Sequence, residues 1–112
     1  MKTTQNNHVS IVGAISHIEK VITDQTGNFN WKKQSFVLSN LDDQHPNNIY
    51  ISVWGDNIIW LDRCRVNDVV ECKINIRSKN VNGKWFTEIT AWRIDVDIRL
   101  TNELKTPDHE NS

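Results

Sequence analysis

Apolar and polar residues alternate with a period of two along much of the chain, the pattern of strands that bury one face. In "NIYISVWGDN", residues 48–57, Ile49, Ile51 and Val53 fall on one side, and Tyr50, Ser52 and Trp54 on the other. The first set supplies a core face; the second places two large rings where water is expected. "WKKQSFVLSN" repeats the pattern, with Gln34, Phe36 and Leu38 opposed to Lys33, Ser35 and Val37. "NDVVECKINIRSKN" sends Val70, Cys72, Ile74 and Ile76 inward, and Glu71, Lys73, Asn75 and Arg77 outward. "HVSIVGAISHIEKVI" is rich in β-branched residues, and Gly13 within it marks a bulge or a sharp bend, as at a barrel corner.

The breaks between these runs complete the plan. "TDQTGNF" is a polar connection with hairpin character, and Pro46 ends any strand through "LDDQHPNN". Alternation stops at "DNIIWLDRCRV", which predicts a short helix capped by Asp56 or Asn57, with Ile58, Leu61 and Ile59 plugging a hydrophobic opening. Asn82-Gly83 is a strong hairpin signal leading into a last strand, "WFTEITAWRIDV". The order β-β-β-α-β-β gives an all-β domain with one short helix, the five-stranded OB-fold barrel. The expected organisation is a flexible N-terminus over residues 1–8, the OB-fold domain over 9–95, and a polar, acidic C-terminal tail over 96–112.

With 112 residues there is room for one domain. No apolar run approaches the ~18 residues that span a bilayer, and "MKTTQNNHVS" lacks the apolar stretch of a secretory signal, so a cytoplasmic protein without a membrane partner is expected. The formal net charge of −1 argues at first against a polyanion partner. Residues 9–94, however, carry ten Lys/Arg against nine Asp/Glu, and residues 95–112 carry two against five, so the deficit sits in the tail. Cys64 and Cys72 give no metal or disulfide framework, and the histidines lack metal-ligand spacing; no cofactor and no metal are expected. Five tryptophans exceed what so small a core needs.

Several stretches resemble bacterial single-stranded DNA-binding proteins: "NHVSIVGAI" their opening strand, "YISVWGDNIIWL" a strand running through aromatic-Gly into the helix, and "VNDVVECKINIRSKNVNGKWFTEITAWRI" their long basic strand and turn. The chain is most similar to a bacterial family of short, single-domain proteins related to these binders, on the motifs at residues 31–34, 54–56 and 82–85 with 91–93. The resemblance covers roughly residues 8–95. It implies an OB fold, a single-stranded DNA or RNA partner, assembly as a homodimer or homotetramer, and a setting in DNA replication or repair. The long members of that group close on an acidic tip with apolar residues; "PDHENS" is acidic but short and has no such hydrophobe, so the resemblance does not carry recruitment through the tail over to this chain.

Single strands are held by rings that stack on bases and cations that follow phosphates. The candidate nucleic-acid-binding residues follow from that pairing. Trp54 and Tyr50 share the non-core face of one strand, ~13 Å apart at ~3.3 Å per residue. Trp31 stands beside Lys32 and Lys33, and Trp85 beside Lys84, with Arg77 and Lys79 expected close by across the hairpin as a basic clamp. Trp60 and Trp92 are read as structural, and Arg63 and Arg65 as partners of the helix C-terminus. The same rings would also serve a protein–protein interaction module, buried in an oligomer or against a partner. Asp42, Asp43 and His45 are the best acid–base candidates, but they lie in a loop without a nucleophile, so no enzyme is expected.

Overall fold

The computed structural model describes residues 9–105 apart from 42, 43 and 46. The expectations for residues 1–8, Asp42, Asp43, Pro46 and the tail beyond 105 lie outside the described residues. The elements are β1 (Val9–Ile18), β2 (Ile22–Thr26), β3 (Phe29–Ser39), β4 (Asn48–Trp54), a single 3-10 turn (Gly55–Asn57), α1 (Ile58–Asp62), β5 (Val69–Val81), β6 (Lys84–Val96) and α2 (Ile98–Lys105).

Strands pair in the order β1-β5-β6-β4-β3, and a β1–β3 pairing closes the ring. This is the OB connectivity, a partly open Greek-key barrel. All pairings are antiparallel except β4 with β6, which is parallel and rests on the single pair Ser52 and Thr90. β2 lies outside the ring, on the edge of β3, and forms a hairpin through Gly27 at φ 61°. The β-branched run at the N-terminal end thus makes two strands. They are separated at residues 19–21, where the Glu19 amide donates to the Ser35 carbonyl at 2.9 Å.

β1 closes the barrel by changing partners. Ala14 is opposite Val69 on β5 and also opposite Ser39 on β3, with an irregularity between Ile15 and His17. The bend brings Gly13 so near β3 that a Cβ there would lie 2.5 Å from the Ser39 carbonyl oxygen, closer than any side chain allows. Glycine at this corner is therefore a packing requirement.

Inward-facing residues from every ring strand meet in one core: Ile15, Phe36, Leu38, Ile51, Val53, Val70, Cys72, Ile74, Ala91 and Ile94. Ile58 and Leu61 of α1 join that core, as expected of a plug, while Ile59 faces solvent. Neither Asp56 nor Asn57 caps the helix through its side chain; the 3-10 turn leads directly into α1 instead. Ile76 keeps the inward parity but is 57% exposed. The reason is that residues 76–89 pair only with one another and so run past the end of the ring.

A second helix, α2, occupies part of the segment read as tail. The Asp97 carboxylate accepts from the Leu100 amide at 3.0 Å, an N-capping contact. The buried Thr101 hydroxyl accepts from the Val69 amide at 2.8 Å, and the Asp97 amide donates to the Val69 carbonyl at 2.8 Å. These bonds fasten α2 to the start of β5.

Candidate functional site

The outward residues of β3 and β4 face one another as Lys33 with Trp54, Ser35 with Ser52, and Val37 with Tyr50. Both serines are buried, and their hydroxyls are 2.9 Å apart. Small side chains therefore make a floor between the Trp54 and Tyr50 rings. The projecting β5–β6 hairpin forms the facing wall. Its two-residue turn fixes the register, so Lys79 lies opposite Phe86 and Arg77 opposite Glu88 on one face. Together these elements enclose a groove of about 840 Å³ lined by Lys33, Tyr50, Trp54, Arg77, Lys79, Phe86 and Glu88 among others.

Each ring on the β4 side is held by a carboxylate. The Tyr50 hydroxyl donates to Glu19 Oε1 at 2.7 Å, and the Trp54 indole N–H donates to Glu88 Oε2 at 3.1 Å. The same Glu88 oxygen lies 3.9 Å from Lys33 Nζ, which in turn sits 5.1 Å from the Trp54 ring centroid. Trp31 leans on Trp54 at a centroid distance of 5.5 Å and an interplanar angle of 54°, with its own N–H on the Thr26 hydroxyl at 3.2 Å. Tyr50 is 53% exposed and Trp54 37%. Trp54 is accessible but sheltered, and Tyr50 is open. Among the described residues no ion pair engages Arg77 or Lys79.

The groove thus gathers Lys33, Tyr50, Trp54, Arg77 and Lys79 from the residues singled out by the sequence. Trp31 and Lys32 line a neighbouring, smaller depression with Thr23, Asp24, Gln25 and Asn30, joined to the groove through the Trp31–Trp54 contact. Lys84 lies at the hairpin tip on the groove-side face, opposite Val81. Trp85 departs from its expected place beside Arg77 and Lys79. It is opposite Asn80, and strand alternation puts its 70%-exposed ring on the other face of the hairpin. Phe86, Glu88 and Glu19 were not read from the sequence. Counting outward from the Asn82-Gly83 turn would have paired Phe86 with Lys79.

Trp60 packs partly against the core, with the Arg63 and Arg93 guanidinium carbons 5.6 and 5.3 Å from its ring centroid. Arg63 is therefore spent on an indole face, and Arg93 also donates to Asp95. Trp92 is half-buried on β6. Burial, with the charge of Asp68 adding, pushes the Cys64 thiol up to about 11. Burial, then the charges of Cys64, Glu71 and Asp95, pushes Cys72 up to about 12. Neither thiol is a nucleophile near neutrality. His45 offers its backbone carbonyl to the Asn40 side chain, while Asp42 and Asp43 lie outside the described residues. Among the described residues no group of three His, Cys, Asp or Glu side chains is placed to hold a metal ion, and no helix is long and apolar enough to cross a membrane.

Residues 10–95 match the model of a family described as "Domain of unknown function (DUF3127)". No curated protein matches the chain. Among solved structures, the SSB domain of a Synechococcus sp. protein is similar at 20% identity over 82% of this chain and 97% of that one, with a TM-score of 0.58. The N-terminal domain of PriB protein from Thermoanaerobacter tencongensis, described as dimeric, is similar at 21% identity over 83% and 98%, also with a TM-score of 0.58. A mitochondrial single-stranded DNA binding protein from S. cerevisiae follows at 16% identity over 84% and 95%, with a TM-score of 0.52. The likeness lies in the fold, an OB barrel.

Proposed function

The chain belongs to the DUF3127 family, and from that premise and the groove we propose that it binds single-stranded DNA without strong sequence preference. The observation that carries this reading is the pairing, in one groove, of Tyr50 and Trp54 about a serine floor with Arg77 and Lys79 on the opposite wall. Bases stack on the two rings, and Phe86 adds a third apolar surface on the hairpin. Arg77 and Lys79 meet the phosphates, Lys84 extends their track toward the tip, and Lys32 and Trp31 prolong the path beyond Trp54. Stacking tolerates any sequence because every base offers a π face. The fold likeness to single-stranded DNA binding proteins supports the same class of ligand. The chain performs no chemistry in this role; it coats or holds strands, as replication and repair in the cytoplasm require.

The test is a titration of the full chain with a 30-mer of oligo-dT, following tryptophan emission. Quenching is expected, with affinity falling as salt rises through counterion release. Parallel titrations with duplex DNA and single-stranded RNA rank the partners. Unchanged emission at low salt, with no complex on a native gel, refutes the proposal.

A second reading concerns the rings that the groove leaves out. Phe29 and Trp85 are among the most exposed large hydrophobic residues, and both lie outside the groove lining. Aromatic anchors of this kind suit a protein–protein contact, and we assign them to assembly as a homodimer or homotetramer. Solution mass that stays monomeric from micromolar to millimolar concentration removes that assignment.

A further inference from the structure

Glu88 is the sole carboxylate among the described residues lining the groove. Its cross-strand partner is Arg77, the natural ion-pair partner for neighbours on one sheet face. The carboxylate turns away from Arg77. It reaches over the β4–β6 seam instead, accepting the Trp54 N–H at 3.1 Å and lying 3.9 Å from the Lys33 ammonium. Lys33, the cross-strand neighbour of Trp54, rests 5.1 Å from the Trp54 centroid, on the ring a base would have to reach. An anion thus already occupies the place of a phosphate at Lys33, and the cation it holds covers the stacking surface. The pair is half-open to solvent, with side-chain exposures of 29% for Lys33 and 43% for Glu88, so the contact is weak enough to be exchanged.

We infer that Glu88 is an internal competitor for the strand: a phosphate replaces its carboxylate at Lys33, and this exchange uncovers Trp54 for stacking. The inference rests on the proposed function and adds to it a residue that sets affinity and salt response. Its signature is thermodynamic. When a phosphate takes Lys33 from Glu88, the released carboxylate gathers a cation as the phosphate loses one. The Lys33 contact then contributes almost nothing to the salt slope.

The experiment uses the full chain and oligo-dT over a range of salt, comparing wild type, Glu88→Gln, Lys33→Met and the double variant. Glutamine keeps the size of the side chain and an acceptor for the Trp54 N–H. Glu88→Gln is expected to bind about fivefold tighter at low salt. Its plot of log affinity against log salt steepens by about 0.7, the value of one added phosphate contact on a single strand. Lys33→Met alone leaves the slope unchanged, and in its background Glu88→Gln produces no steepening. Weaker binding by Glu88→Gln, or an unaltered slope with unaltered affinity, overturns the inference, as does steepening that persists without Lys33. Should Glu88→Gln fold poorly by far-UV circular dichroism, Lys33→Met still decides, because a slope shallower by about 0.7 would show Lys33 acting independently of Glu88. Wild type that fails to bind oligo-dT refutes the underlying function; wild type that binds while these variants miss their marks refutes only the competitor.

Discussion

Tyr50 and Trp54 occupy the same strand face two positions to either side of Ser52, yet their surroundings differ. Tyr50 is fixed at its hydroxyl and leaves its ring open, whereas Trp54 is flanked by Lys33 and Trp31. Trp54→Ala is expected to weaken binding of oligo-dT by about tenfold, within the ~1 to 3 kcal/mol that one stacked base contributes. An affinity within twofold of wild type, measured by anisotropy, removes Trp54 from the strand path. The outward direction of both rings was legible from alternation. The grip of Glu88 was not, because it depends on β4 and β6 lying side by side, and nothing local in "TEIT" reports that neighbour. The cysteines carry a pH dependence. Their unfolded thiols ionise near 9.0, while the folded ones stay protonated to about 11 and about 12. Between those values the unfolded state binds fewer protons, so stability is retained in full below pH 9 and falls as pH rises from about 9 toward 12. Urea melts at pH 8, 9.5 and 10.5 on the wild type and a Cys64→Ala/Cys72→Ala variant test this. An equal decline in both means the thiols contribute nothing.

At the scale of elements, the sequence marked strands well because alternation fixes a face. It marked burial less well, because a face is buried only where another element covers it. Ile76 has the same parity as Ile74 but has left the barrel, and Ile59 sits beside two plugging residues yet points outward. Gly13 was readable as a corner, since a glycine within a β-branched run has few other reasons to be there. α2 was hidden for the opposite reason. Its eight residues are mostly polar, and it is held by the Thr101 hydroxyl on a distant Val69 amide, a contact that no local pattern reports. Thr101→Val keeps the shape but leaves that buried N–H without its acceptor, a loss of about 1 to 3 kcal/mol. Chemical denaturation reads the loss directly. A change below ~0.5 kcal/mol would mean that water reaches the amide and α2 is not fastened there.

The molecule as a whole is a ring whose strands are joined unevenly. Long antiparallel ladders bind β5 to β6 and β3 to β4, while β4 meets β6 through one parallel pair, Ser52 and Thr90, of which Ser52 lines the groove. The charge balance of the chain concealed this face: near neutrality overall says nothing of cations collected on a hairpin wall, where alternation along β5 puts Arg77 and Lys79 on one face and the register across Asn82-Gly83 brings Lys84 to the same side. A strand lying in the groove would touch β4 through its bases and the hairpin through its phosphates.

That narrow seam makes the barrel a loop with a clasp. Opening it costs few backbone bonds, so native-state hydrogen exchange should find the amides bordering Ser52 and Thr90 breathing faster than those midway along β3–β4. A bound polymer, gripping both lips, would act as a stitch and slow that exchange, coupling occupancy to closure of the ring. Exchange at the seam as slow as in the ladders, and indifferent to oligo-dT, would show that the clasp never opens.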